Sequence, residues 1–293
     1  MKVFSFLIYY FLLIPLSLLP YSVLYLFSDL LYFLLYKIFN YRQKVVRKNL
    51  KNSFPLYSKT QIAEIEKKFY SHFCDIIVES IKLFTISEKQ LSARILFADR
   101  ELINDLYKKN KSIIFCGGHY NNWEMLGAII QKYIPHTAIG IYAPLENSFF
   151  NKKFIKSRTK FGLKLLSMKK VKEGFEENKT LLTATFFATD QSPTYSKNVY
   201  WTQFLNQETA VYTGTEYFAK TYNFPVVFGY ITKTKRGFYD FKAELICENP
   251  KSTKVGEITE LHTRILEKQI LNEPQYWLWT HKRWKRKKEI KNP

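Results

Sequence analysis

Residues 113–127 read IIFCGGHYNNWEMLG. A short apolar run over 112–116 gives way to two glycines and then, over 122–132, to a stretch with helical patterning. Strand, turn and helix in that order form the unit from which α/β folds are built. Gly117 and Gly118 permit a sharp turn and a close approach of a ligand to the backbone. His119 follows them directly, and Glu124 stands five residues further on.

The neighbouring segments extend this reading. Residues 61–83 place Ile62, Ile65, Phe69, Phe73, Ile76 and Ile77 at three- and four-residue spacing, an amphipathic helix whose aromatics belong to a core. Beyond the glycine turn, strands are expected at 137–142, 181–188, 225–231 and 238–247. Helices are expected near 148–161, over 213–222 and over 257–271. Strands separated by helices predict a mixed α/β fold: a largely parallel sheet flanked by helices. No internal repeat or linker interrupts residues 41–293, which read as one catalytic domain behind a membrane anchor of residues 1–40.

The anchor rests on residues 3–27, which carry no charge and are long enough to cross a hydrocarbon core. The run is too long for a signal-peptide apolar region and lacks a following small-residue cleavage site, so it is expected to be uncleaved. Pro15 and Pro20 offer an alternative: a spanning helix to about Leu19, then a second, interfacial helix over 21–39. Lys37, Arg42, Lys44, Arg47, Lys48 and Lys51 follow this segment, whereas only Lys2 precedes it. That bias places the bulk of the protein in the cytoplasm. The basic run is expected to meet anionic lipid, with a solvated helix face as the alternative.

Lys plus Arg number 45 against 25 Asp plus Glu, a formal charge of +20, which attracts polyanions. Nucleic acid is not expected, since a membrane segment precedes the charge and no nucleic-acid module is present. Aromatics make up 17%, more than a minimal core requires, and suit a surface that also meets lipid. Cys74, Cys116 and Cys247 are widely spaced and form neither a disulfide framework nor a zinc site. No metal and no cofactor are expected.

Acyl transfer from a thioester to an alcohol needs a base for the hydroxyl proton, and a neutral imidazole serves near pH 7. A carboxylate on the far ring nitrogen fixes the tautomer and stabilises the imidazolium. His119 and Glu124 supply both residue types. Five steps along a straight helix would put them roughly 140° apart, so His119 is expected in the turn and Glu124 on the first helical turns, facing back. Free backbone amides at the helix start would then lie near the reaction centre. H-E-x-x-H, G-x-S-x-G and Walker patterns are absent. Cys116 is an alternative acyl-enzyme nucleophile, disfavoured by its place inside the apolar run.

Several ordered blocks accompany the GGHYNNWE segment: YRQKVVRKNLKNSFP at 41–55, IYAPLENSFFNKKFIKSRTKFG at 141–162, ATDQSP at 188–193, TGTEYFAKTYNFPVV at 213–227 and EPQYWLWTHKRWK at 273–285. Together they resemble the late acyltransferases of lipid A biosynthesis, the lauroyl- and myristoyl-transferase group of the glycerolipid acyltransferase superfamily, with the hallmark H-x4-D/E. The resemblance implies a glycerolipid-acyltransferase-like fold and a cytoplasm-facing inner-membrane enzyme. Its acyl donor would be acyl carrier protein, or coenzyme A, and its acceptor a hydroxyl of a lipid A precursor. By the same resemblance His119 matches the base, Glu124 its partner, Arg158 the arginine of the R-x-x-x-G stretch, and Asp190 with Gln191 the D-Q pair.

Arg158 can fork onto phosphate or an oxyanion, or be a surface arginine. Asp190 ends an apolar strand at the edge where open α/β sheets place sites, or caps it. TQFLNQETA at 202–210 departs from the Phe-Phe-Gly-like turn of these relatives, and Ala143 replaces a polar residue. The closing WLWTHKRWKRKK mixes tryptophan with cations and reads as an interfacial surface or a basic tail. Two alternatives stand beside the lipid A reading: acylation of another lyso-lipid or amino-acid lipid, and a non-catalytic adaptor for anionic lipid.

Overall fold

The computed structural model describes residues 2–193 and 198–288. Its centre is a mixed sheet built from β1 (Ile95–Leu96), β2 (Ile113–Gly117), β3 (Thr137–Tyr142), β4 (Lys164–Ser167), β5 (Thr183–Ala188), β8 (Val226–Lys235) and β9 (Phe238–Cys247). Between the last two groups, β6 (Val199–Phe204) and β7 (Gln207–Tyr212) form a separate antiparallel hairpin. The strand order in the seven-stranded sheet is β1-β9-β8-β2-β5-β3-β4, and only the β8/β9 pair is antiparallel. The expected α/β architecture with a largely parallel sheet is therefore present.

The alternation of side chains along β2 explains its unbroken apolar sequence. Ile113 and Phe115 enter one buried cluster with Met125, Ile129, Val227 and Phe241. Ile114 and Cys116 point the other way, into a cluster with Phe228, Leu266, Trp277 and Trp279. A strand covered on both faces has no polar side to show. Its neighbours are β5 and β8, so β2 is central, and its carboxyl end lies level with that of β5, Gly117 opposite Ala188.

The helix expected over 61–83 spans Lys59–Lys82. It opens with a reciprocal cap: Ser58 Oγ accepts from the Gln61 amide at 3.2 Å, and Gln61 Oε1 accepts from the Ser58 amide at 2.8 Å. The sequence departure at 202–210 falls on the β6/β7 hairpin. Its two-residue turn, Leu205 and Asn206, has φ of 50° and 60°, the left-handed pair a type I′ turn demands.

The apolar N-terminal stretch is two helices, not one. Leu19 turns extended, ψ 150°, ahead of Pro20, because a proline ring clashes with a helical predecessor. Of the described residues, Tyr21–Ile38 alone form a helix long and apolar enough to cross a membrane, and Val3–Leu18 form a shorter apolar helix. The proline break thus follows the second of the two readings, but the longer helix lies after it. Val3, Phe4, Phe11 and Leu18 of the first and Leu26, Phe27, Leu30 and Phe33 of the second are exposed.

The opposite side of both helices is bonded to the rest of the chain. Asn147 Nδ2 donates to Ser5 Oγ at 2.9 Å, Thr85 Oγ1 to the Ser17 carbonyl at 2.5 Å, and Lys82 Nζ to the Leu19 carbonyl at 2.8 Å. Further on, Ser28 Oγ donates to Asp75 at 2.8 Å, and Arg236 bridges Asp29 at 2.6 Å and Asp75 at 2.7 Å.

The basic run after the second helix is divided in use. Arg47 pairs with Glu66 and Arg42 donates to the Thr280 carbonyl, whereas Lys44, Lys48 and Lys51 are exposed. Asn49, from the same helix (Gln43–Ser53), donates to the carbonyls of Trp279 and His281, both at 2.9 Å.

Candidate active site

Because β2 and β5 are adjacent and parallel, the turns that leave their carboxyl ends meet. The Thr189 amide donates to the Gly117 carbonyl at 2.9 Å, extending the ladder one step past the strands. Beyond them stand His119, after Gly118, on one side and Asp190 on the other. Asp190 Oδ1 lies 2.7 Å from His119 Nδ1, and Asp190 Oδ2 accepts from the His119 backbone amide at 2.8 Å. Trp277 Nε1 donates to the same Oδ2 at 2.8 Å. Three donors therefore hold one carboxylate.

Space is tight around both glycines. A Cβ on Gly118 would stand 2.8 Å from Leu266 Cδ1 and 3.3 Å from Asp190 Oδ2; one on Gly117 would stand 3.2 Å from the Gly229 carbonyl. The left-handed residue of the turn is Asn121, with φ 52°. It is fully buried, donates from Nδ2 to the Ile231 carbonyl at 2.7 Å and from its amide to the Tyr276 carbonyl at 3.0 Å.

The carboxylate on the ring is thus Asp190 and not Glu124, as the five-residue spacing suggests. Glu124 does sit on the first turn of the helix Trp123–Ile129. Its two oxygens, however, accept from Arg158, 2.7 Å from Nε and 2.5 Å from Nη2. A guanidinium edge matches a carboxylate in a planar fork, which a lone imidazole nitrogen cannot equal. Arg158 is accordingly neither a plain surface arginine nor free at that edge. Its side chain is 27% exposed and that of Glu124 18%.

The amides expected to be free at the helix start are partly committed: His119 to Asp190, Asn121 to Tyr276, and Met125 to the side chain of Asn122 at 2.9 Å. Gln191 places its amide nitrogen 3.4 Å from His119 Nε2. Trp123 packs edge-on to the His119 ring, centroids 5.0 Å apart.

Electrostatics follow the geometry. Burial pushes the His119 imidazolium down, but the charge and hydrogen bond of Asp190 outweigh it and leave the ring above its ordinary 6.5. Burial raises Asp190, yet His119, its amide and Trp277 overcome this and draw the carboxyl down to about 2. The Asp190 side chain is only 3% exposed against 18% for His119, so the acid is sealed while the ring remains reachable. Cys116 is fully buried with its thiol pushed up by desolvation, directed at the Val227 carbonyl on the core side of β2. A thiol so placed is no nucleophile.

Two contributors escape sequence reasoning. Trp277 and Trp279 are core residues, 1% and 0% exposed, so these two tryptophans are not part of an interfacial surface. The segment lies across the turn, with Tyr120 bridged to Trp277 and the Leu278 amide donating to the His119 carbonyl at 3.2 Å. His281 Nε2 accepts from the Ser192 amide at 3.0 Å. Burial lowers its pKa to about 4, which keeps that nitrogen an acceptor and braces the Asp190–Ser192 turn. The one signal available was the E-P-Q-Y-W block itself.

A reachable imidazole whose Nδ1 is bonded to a buried carboxylate is a general-base site on an α/β scaffold. The chain belongs to the bacterial lipid A biosynthesis acyltransferases: the family model matches residues 1–286, and with them every residue of the site. No curated protein matches the chain.

Proposed function

We propose that the protein transfers a fatty acyl chain from acyl carrier protein to a hydroxyl of a lipid A precursor at the cytoplasmic face of the inner membrane. The observation that carries this reading is the His119–Asp190 pair at the open end of β2 and β5. With Nδ1 bonded to Asp190, Nε2 is the basic nitrogen. It takes the acceptor hydroxyl proton as the oxygen attacks the thioester carbonyl. The tetrahedral intermediate then expels the carrier thiolate, to which the imidazolium returns the proton. Asp190 stays ionised throughout and stabilises the imidazolium.

Arg158, clamped through Nε and Nη2, offers its Nη1 edge to an acceptor phosphate or to the developing oxyanion, and Gln191 helps orient the groups at Nε2. Gly117 and Gly118 keep the backbone low where the reacting carbonyl must come. Anionic lipid is attracted by the +20 balance, and the exposed apolar side of the N-terminal helices suits contact with the membrane.

The test is purified enzyme with acyl carrier proteins of several chain lengths and a tetra-acylated precursor, read by mass. One added acyl chain is expected, and His119→Ala should reduce the rate by about 10²–10⁴-fold. Robust transfer by that variant would sink the mechanism. Transfer to lysophospholipid alone would move the acceptor to another lipid.

A further inference from the structure

Glu79 has no exposed surface and lies in the last turn of the long Lys59–Lys82 helix. Its carboxylate accepts three hydrogen bonds from three distant parts of the chain. Asn122 Nδ2 donates to Oε2 at 2.5 Å, Tyr239 Oη to the same oxygen at 2.8 Å, and Tyr25 Oη to Oε1 at 2.8 Å. Each partner belongs to a different task. Asn122 caps the helix that carries Trp123 and Glu124 through its bond to the Met125 amide. Tyr239 belongs to β9. Tyr25 belongs to the apolar helix Tyr21–Tyr32, whose other side exposes Leu26, Phe27 and Leu30.

A second observation shows how closely that helix is fitted. Gly237, φ 76°, closes the β8/β9 hairpin, and a Cβ there would fall 1.9 Å from Tyr25 Oη. Arg94 donates to the Gly237 carbonyl at 3.1 Å and stacks over Tyr21, its guanidinium carbon 3.3 Å from the ring centroid. The hydroxyl of Tyr25 is thus steered to Glu79 by a site with no room for a side chain.

We infer that Glu79 is a positioning residue for the catalytic turn, and that it couples the seating of the apolar helix, through Tyr25, to the placement of Asn122, Trp123 and Glu124 beside His119. The chain Tyr25–Glu79–Asn122–Met125 is continuous and buried at its centre. It rests on the acyl-transfer reading only for its kinetic consequence.

The experiment uses the full chain in detergent micelles, with Tyr25→Phe, Glu79→Gln, Glu79→Leu, Asn122→Ala and the double variant Tyr25→Phe/Asn122→Ala. Amide exchange of the peptide covering residues 119–126 is followed by mass spectrometry, beside kcat and KM for acyl transfer. Tyr25→Phe should speed exchange at the Met125 amide and lower kcat about tenfold with little change in KM, since small displacements of a reacting group cost rate more than binding. Adding it to Asn122→Ala should cost nothing further, because both act on one chain of bonds.

Glu79→Gln should behave as wild type: its oxygen still accepts from Asn122 and Tyr239, and its amide donates to the Tyr25 oxygen. Glu79→Leu should lose kcat about a hundredfold, and Tyr25→Phe keeps the coupling testable should that variant fail to fold. Wild-type exchange in Tyr25→Phe, or an additive double variant, overturns the coupling. Lost kcat in Glu79→Gln with unchanged exchange overturns the positioning role in favour of charge. Exchange is read without turnover, so an enzyme inactive on lipid A precursors would refute the function while leaving this inference to be decided.

Discussion

At the residue scale, the question is which carboxylate serves the ring. Replacing Asp190 with Asn removes the charge that lifts His119 above 6.5 while keeping the shape. Only the neutral imidazole accepts a proton, so wild-type kcat/KM should fall as pH drops through a value above 6.5. In Asp190→Asn that acid limb should move to lower pH, and the plateau should drop about 10³-fold or more, as the ring loses its tautomer and its stabilising charge. Glu124→Gln should move the limb much less. If Arg158 binds the acceptor as proposed, its effect should instead appear as a higher KM for that acceptor, because the fork onto Arg158 is what it loses. A limb that shifts further in Glu124→Gln than in Asp190→Asn would reverse the assignment.

At the element scale, the sheet decides what spacing cannot. Residues 113–127 disclose a strand, a glycine turn and a helix, and so disclose His119. Which acid reaches Nδ1 depends on β2 and β5 being neighbours, a pairing 71 residues apart at the site and invisible to local periodicity. The D-Q pair at a strand end is legible as a site edge, but its contact is not. Trp277 and Trp279 defeat reading for another reason: tryptophan beside lysine and arginine has the same composition in a membrane interface as in a core segment, here one in which Lys282 and Lys285 are exposed and Arg283 is buried. Gly237 is similarly silent in sequence. Gly237→Ala should unseat the helix Tyr21–Tyr32, costing about 1–3 kcal/mol for the left-handed backbone and more for the lost space. Limited proteolysis within residues 38–43 should become faster than in wild type; equal cleavage would show that the helix seat tolerates the methyl.

At the scale of the whole molecule, the His119–Asp190 pair leaves a signature in stability. The Asp190 pKa is depressed to about 2, so its contribution is present above its ordinary 3.8 and is lost as pH falls toward 2. The His119 pKa is raised, so its contribution is complete below 6.5 and is lost as pH rises through the higher value. Both are in force together only between about pH 4 and 6.5. The unfolding deficit of Asp190→Asn, read from denaturant midpoints, should therefore be largest near pH 5 and shrink in alkali. A deficit that grows from pH 5 to 9 would contradict the raised imidazole.

The indole that bonds Asp190 lies 87 residues beyond it in the chain, and the imidazole lies 71 before it. Contacts of such range form late, once their loop-closure entropy has been met. During synthesis the two apolar helices and Glu79 emerge long before Tyr239 or Trp277 exists. Until those segments are made, Glu79 lacks its Tyr239 donor and Asp190 its indole donor.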